Sequence, residues 1–547
     1  MGAGTPDLDL SHWYEGIWPK LLILRLVLPC NQNLFGYWRN KWLLWGANAS
    51  KKSSTLVASR WHKASLLGPS AVILALIGNR KVRREGRHLL PMNAVERRAV
   101  AALSSVLGLR MFGLFLILPV LALYAGEIDG ATPAMIGVAL GAYGLTQALF
   151  QVPFGLLSDR FGRKPLLVAG LLLFALGSVI AARANSIEVV ILGRALQGSG
   201  AIASVVLALL ADLTREEQRT KGVAVVGASI GFSFLLALML GPILDAVIGL
   251  SGIFWSTGLL ALMAVPVVVW FVPAVERLPR GTGVQPAWGQ VRMILQNRQL
   301  LFMDCGILVL HMVLMALFVA VPFALLETLE LPRDRHWQVY VPVLGAAVLA
   351  MVPMLILSMI REHTLPVLRA GVAILFVSLL ALLISDRNTG VLVVGLWLFF
   401  VAFTLLEALM PSLMSRLAPA QNKGTALGVY NTFQFLGVFI GGALGGWLFG
   451  LFGGSAVFIF SAVAALAWLI LVVVARAPKL LESRTVDLEN AEQRDFSALV
   501  AQFRGLPGVH EVILLSGENI AYLKVDPERF HNESLSNMAS MAGIEVR

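Results

Sequence analysis

The chain is 547 residues long, 57% hydrophobic and 14% charged, which is more apolar surface than a water-soluble core can hide. Its solvent is lipid. The net charge of +11 would suit nucleic acid, but Lys and Arg stand in short clusters between apolar runs, the pattern of membrane topology and not of a phosphate-binding face. Two cysteines, Cys30 and Cys305, are too few for a disulfide framework or a multi-Cys metal site.

Residues 1–91 match neither a membrane span nor a soluble domain. "WYEGIWPKLLILRLVLPC" holds an apolar stretch too short to cross, and "ASLLGPSAVILALIG" is ambiguous. No small-residue cleavage site follows a clean hydrophobic region. Met92 precedes "NAVERRAVAALSSV", a cytosolic entry into the first span. Two readings stay open: translation starting at Met92, or an anchor or unusual targeting segment.

About 20 apolar residues cross a bilayer as a helix. Twelve runs reach that length: 100–124, 134–157, 164–183, 188–211, 222–244, 253–272, 300–325, 338–360, 365–385, 391–414, 424–449 and 455–475. Short loops make consecutive helices antiparallel neighbours. Basic residues collect at one end, among them Arg97, Arg98, Arg160, Arg163, Lys164, Arg215, Arg219, Arg292, Arg298, Arg369, Arg416 and Lys423, against Arg183, Arg333, Arg335 and Arg387 at the other. The rich end is expected in the cytosol.

Residues 273–299, with Pro, Gly and four Arg, read as a cytoplasmic linker between a six-span half at 95–272 and another at 300–475. Pro153, Leu157 and Ser158 recur as Pro353, Leu357 and Ser358, and Lys221-Gly222 as Lys423-Gly424. Parallel repeats of this kind are a transporter signature. Residues 476–547 are polar and read as a small cytosolic α+β module: a strand in "TVDLE", a helix ending at Gly505 and Pro507, a hairpin about Gly517-Glu518, a second helix in "NESLSNMASMAG" and a strand in "IEVR". That order is ferredoxin-like.

Between the second and third runs lies "GLLSDRFGRKP", one acid and three basic residues around two glycines. It resembles, position by position, the signature loop of the major facilitator superfamily, and it falls where that family carries it. The resemblance extends over residues 95–475. It implies an all-α membrane protein with the twelve-span facilitator fold of two six-helix halves, here followed by the α+β domain. It also implies a conformational latch made of Gly155, Asp159, Arg160, Gly162, Arg163 and Asp212. Asp159 would rest on the positive N-terminus of span eleven, near Lys423 to Leu427. Gly155 would let that span approach, and Arg163 would pair with Asp159 and Asp212. Such a latch favours the state closed to the cytosol.

Span four carries "GRALQGSG". An arginine in hydrocarbon costs at least ~2.5–3.5 kcal/mol and so faces the bundle interior. Arg194 with Gln197, Gly198 and Gly200 resembles a family element associated with proton coupling; a bond to a carbonyl or a neighbouring span is the plainer alternative. Span five ends "LGPILD", where the element of drug/proton antiporters has further glycines and this chain has Ala228 and Ala237. Gly227 and Gly231 are open to a packing role alone.

Ionisable residues within spans are functional candidates. Glu407 in "LLEALMPSL" is an acid among apolar neighbours, suited to binding and releasing a proton, and Arg110 in span one is its opposite number in the other half. Asp304 reads as near-interfacial. Substrate-cavity candidates are Gln147, Gln151, Tyr143, Asn431, Gln434 and His311; the amides serve equally to bond helix to helix, and a lone His is more often a core residue. Phe115, Tyr143, Tyr430 and Phe433 offer an aromatic wall.

"LRMFGLFLILPVLALYA", "GLTQALFQVPFGLLSDRFGRKPL" and "GTALGVYNTFQFLGVFIGG" resemble the YajR type of facilitator. This resemblance implies a bacterial inner membrane, a C-terminal ferredoxin-like cytosolic domain and proton-driven export. The chain has no Walker loop, no nucleophile–base pair and no metal-ligand spacing, so neither an enzyme, a metal nor a cofactor is expected. The proton gradient is the energy source. Partners are a small-molecule substrate, protons and the bilayer, not nucleic acid, and the chain is expected to act as a monomer. Import or uniport on the same fold, and a membrane sensor signalling through its tail, are the alternatives.

Overall fold

The computed structural model describes residues 91–124, 126–273, 287–358, 364–385, 388–419, 423–474, 482–487, 496–515, 520–526, 529–530, 534–536 and 538. The readings of residues 1–90, of the "IEVR" strand and of the turn at Gly517-Glu518 lie outside the described residues, as do the side chains of Asp159 and Lys423.

Helix α1 (Ala94–Phe115) begins with a reciprocal cap. The Asn93 side chain accepts from the Glu96 amide, and Glu96 from the Asn93 amide, each at 2.8 Å, which satisfies two of the donors that open any helix. Glu96 also accepts from Arg215 at 2.8 and 2.9 Å and so clamps the start of α1 to the entry of the fifth span. The apolar run continues to residue 124, but the α-helix stops at Phe115. Pro119 has no N–H to donate and its ring crowds the carbonyl four residues back; the chain leaves as a 3₁₀ turn, Leu121–Tyr124.

Helices α2 (Pro133–Phe161) and α3 (Arg163–Ala182) are separated by one residue, Gly162, at φ 98°, whose N–H donates to the Ser158 carbonyl at 3.1 Å. Left-handed backbone at this junction suits glycine because a Cβ would meet the carbonyl. The fourth run is split into α4 (Ile187–Ser199) and α5 (Ile202–Leu213). Gly200 sits at the split, and a Cβ there would strike the backbone of Gly170 in α3.

Helix α6 (Glu216–Pro266) runs on through a π turn, Val267–Phe271. At 51 residues it would be ~77 Å long if straight, more than two bilayer cores. It therefore holds two expected spans, joined at Gly249 with φ 65° and ψ −179°. Within the linker read as 273–299 lies a ten-residue helix, α7 (Ala287–Gln296). The second half follows as α8 (Arg298–Leu329), α9 (Trp337–Ser358), α10 (Thr364–Leu383), α11 (Thr389–Leu417), α12 (Lys423–Phe452) and α13 (Gly454–Val474). Among the described residues, 11 helices are long and apolar enough to cross a membrane; counting both limbs of α6, they account for the twelve expected spans.

Glycines bring the central helices together. On α12, a Cβ at Gly437 or Gly441 would collide with the Leu308 or Met312 carbonyl of α8, and α2 meets α12 at Gly137, Gly141 and Gly144. Lipid supplies no hydrophobic drive between helices, so close backbone approach and its dispersion contacts do this work. Large apolar side chains such as Leu259, Val463 and Val474 point outward, where lipid solvates them.

After the bundle come β1 (Glu482–Asp487), α14 (Phe496–Gly505), β2 (Val509–Leu515) and β3 (Ile520–Val525), whose three strands form an antiparallel sheet of order β1-β3-β2. Val486, Phe503, Val512, Leu523 and Val525 are its core. Residues 534–536 and 538 are helical, within the stretch read as a second helix. Lys524 is buried and donates to the Ala418 carbonyl just past the end of α11, a favourable site for a cation.

Gly162→Ala should lower the unfolding free energy by about 1–2 kcal/mol, the cost of a Cβ in left-handed backbone. An unchanged melting temperature in detergent would contradict this junction.

Candidate functional site: two polar clusters inside the bundle

The break in the fourth span frees backbone carbonyls inside an apolar bundle, and Arg110 meets one of them. Its Nη2 donates to the Gly200 carbonyl at 2.8 Å and to Gln147 Oε1 at 2.9 Å. Gln147 in turn donates to Gln151 Oε1 at 3.0 Å. The Arg110 guanidinium also lies 5.3 Å from the Phe174 ring and 5.7 Å from that of Tyr143, contacts that favour a cation out of water. Arg194 lies 5.3 Å from the same Tyr143 ring, donates to Gln197 Oε1 at 2.9 Å, and Gln197 donates to Ser178 at 2.8 Å. Two buried guanidinium groups thus share one tyrosine. Arg194 also donates to the Ala139 carbonyl of α2 at 3.4 Å. Gln147, Gln151 and Tyr143, named as cavity residues, are buried in this network and could meet a substrate only after it opens.

The other half holds a carboxyl, an imidazole and an amide on three helices. Gln434 of α12 lies 2.7 Å from His311 Nε2 and donates to Glu407 Oε1 at 3.3 Å. His311 Nε2 and Glu407 Oε2 are 3.7 Å apart. Nδ1 of His311 faces the Ile307 carbonyl at 3.3 Å, so it carries the ring proton and Nε2 accepts from Gln434. The Gln434 amide therefore spends both hydrogens on the two titratable groups. Asn431 lies three residues earlier on α12 and is half-buried. Arg110 bonds within its own half, and rings meet across the halves: Tyr143 of the first cluster lies 6.0 Å from Phe435, the neighbour of Gln434. Phe115 meets Phe234 at 5.1 Å, Phe234 meets Phe403 at 5.4 Å, and Phe403 meets His311 at 5.7 Å.

At the loop end, Arg163 pairs with Asp212 at 3.1 Å and donates to Ser158 at 2.5 Å, tying the ends of α2 and α5 together. Arg160 is exposed and lies over the neighbouring Phe161 ring. Gly155 does not receive span eleven in this conformer: a Cβ there would meet Ser204 of α5 at 3.8 Å. Nor would a Cβ at Gly424 or Gly428, at the loop end of α12, meet anything within 4 Å. The glycine contacts between α2 and α12 lie at the opposite end, where Arg333 crosses between the halves. It bonds Glu127 at 2.5 Å, lies 3.9 Å from Asp245 and stacks 4.7 Å from the Tyr124 ring, while Tyr124 donates to Asp245 at 2.5 Å.

A family model described as Major Facilitator Superfamily matches residues 103–442 and 366–517. The chain is 45% identical to the Escherichia coli inner membrane transport protein YajR over 437 residues, 80% of this chain and 95% of that one. The chain belongs to the major facilitator superfamily. It is also 38% identical to an uncharacterized transporter of Buchnera aphidicola over 69% of this chain and 97% of the relative. Two solved structures share the fold. One is a bacterial homologue of the human lysosomal transporter Spinster in an inward-facing, occupied conformation (TM-score 0.58, 12% identity, covering 70% of this chain and 97% of that one). The other is the human organic anion transporter MFSD10 (TM-score 0.52, 18% identity, covering 70% and 100%).

Among the described residues, the Arg333 contacts and the glycine contacts between α2 and α12 lie toward one end of the bundle. Gly241 of "LGPILD" lies against the Leu116 carbonyl and Pro119 where span one breaks, and Asp245, one turn on, takes the Tyr124 hydroxyl. Among the described residues, a Cβ at Gly227 or Gly231 would meet nothing within 4 Å, so no close helix approach calls for glycine at either position here. The Tyr124–Asp245–Arg333–Glu127 cluster was not foreseen. Its signals are an acid ending span five and one of the few basic residues at the far end.

Arg110→Ala leaves the carbonyls of Gly200 and Gln147 without this donor at about 1–3 kcal/mol each. A loss of roughly 2–5 kcal/mol in unfolding free energy is expected, and a melting profile like that of the wild type would contradict the bridge.

Proposed function

We propose that this facilitator is a secondary active transporter that exports small molecules in exchange for protons, by alternating access, across a bacterial inner membrane. The carrying observation is the Glu407–Gln434–His311 cluster, where an acid and an imidazole are bridged by one amide inside the bundle. Adding or removing a proton at either group changes which of the two the amide serves, and so biases the packing of three helices. With the basic-rich end in the cytosol, the Arg333 bridge closes the outside and the opposite end opens inward.

In the opposite state the signature loop would act as a latch, Asp159 against the start of α12 with Arg163 and Asp212 behind it. The tail is read as a cytosolic ferredoxin-like domain on its β1-β3-β2 sheet and α14. Arg194 and Arg110 are assigned to coupling through Tyr143, and Asn431 to the cavity. Inner-membrane placement rests on the likeness to YajR.

One observation favours import or uniport: the span-five element lacks glycine at Ala228 and Ala237. Another favours a sensor, namely that the tail touches the bundle through Lys524 and Ala418. Flux of a dye in vesicles with an imposed pH gradient separates the three. Exchange predicts gradient-driven flux in the wild type that falls to background in Glu407→Gln. Flux indifferent to the gradient means uniport, and no flux in any condition supports the sensor. Asp159→Asn should insert and fold normally yet transport at background level; wild-type flux in that variant would remove the latch.

A further inference from the structure

Asp304 stands in α8 seven residues before His311, which places it about 10 Å nearer the start of that helix. It is fully buried, and neither of its carboxylate oxygens has a hydrogen-bond partner. It lies six residues past the start of α8, and protein covers it. Two residues on, Gly306 of the same helix is packed by Met410 of α11 and Trp468 of α13. From α12 comes Tyr430, buried with its hydroxyl unpartnered and within electrostatic reach of both Asp304 and Glu407. Glu407 of α11 therefore meets Tyr430 from the other side, and Cys305 is the adjacent residue of α8. Among the described residues no cation acts on Asp304.

An ionised carboxylate in such a place costs several kcal/mol, and something must neutralise it. A hard metal ion requires about six oxygen ligands, whereas the side-chain oxygens placed here are those of the Asp304 carboxyl and the Tyr430 phenol, and no His, Cys, Asp and Glu cluster among the described residues could hold a metal. A proton needs one oxygen. We propose that Asp304 is a second proton-binding carboxyl, which with Glu407 and Tyr430 makes two levels of one proton pathway in the C-terminal half. The pathway rests on the proton-coupled reading above; the protonation of Asp304 stands without it. In one transit the Glu407 carboxyl gives up its proton and becomes a carboxylate, and the Asp304 carboxylate gains that proton. Tyr430 is neutral before and after.

The test is the infrared C=O stretch of protonated carboxyls in the full chain, purified and returned to lipid, titrated from acid to alkaline pH. Among the carboxyl components of the wild type, Glu407→Gln should lose one and Asp304→Asn another. Asp304→Glu should restore a shifted component and serves as the deciding variant if Asp304→Asn does not fold. An Asp304→Asn spectrum identical to that of the wild type, or no shifted component in Asp304→Glu, overturns the proposal. Flux under a pH gradient separates the two readings. A missing Asp304 component with intact gradient-driven flux sinks Asp304 alone, while the component present without any gradient-driven flux sinks the pathway together with proton exchange.

Discussion

A backbone carbonyl released inside lipid has no water to turn to, and a bundle that breaks one of its spans must supply a donor from its own side chains. Here the break is at Gly200 and the donor is Arg110. The rest of the N-terminal half follows from that pairing. An arginine can stay buried only if its charge is well solvated by protein, so Gln147, Phe174 and Tyr143 gather around it from α2 and α3. Those helices can reach it because Gly200 lies directly on Gly170. Breaking the span, burying the arginine and packing glycine on glycine are one structural solution, not three separate features.

The two halves share a fold but not a chemistry. Arginines, amides and a tyrosine hold the first together, whereas the second brings a carboxyl and an imidazole to a single glutamine. Rings from Phe115 through Phe234 and Phe403 to His311 connect them. In such an arrangement, titration in one half can be felt as repacking in the other without any charge crossing the midline. The ends of the bundle carry the complementary contacts, with Arg333 bridging the halves at one end and the Arg163–Asp212 pair bracing the signature loop at the other.

The spans were legible because lipid thickness sets a length that composition reveals, and the signature loop because its glycines and charges are constrained by backbone and topology. Gly162 illustrates the second case: its φ of 98° is a reason for glycine at that position of the motif. Breaks were not legible. Residues 188–211 read as one apolar run, and nothing in hydropathy says that the helix opens at Gly200, since the event depends on a glycine in another helix. The motif puts Gly155 against span eleven, whereas in this structure the space beside it faces Ser204 of α5. The partners of Gln147 and Gln151 were undecidable for the same reason: an amide's role is fixed by what lies opposite, which spacing along one helix does not contain.

The central claim is that protonation of the Glu407 cluster moves the two halves between states open at opposite ends. Spin labels at Phe161 on α2 and Gly424 on α12, both exposed at the loop end, measure this by their separation in lipid at acid and alkaline pH. The account predicts two distance populations whose ratio shifts with pH in the wild type and stays fixed in Glu407→Gln. A single population, or a shift that persists unchanged in Glu407→Gln, would contradict it.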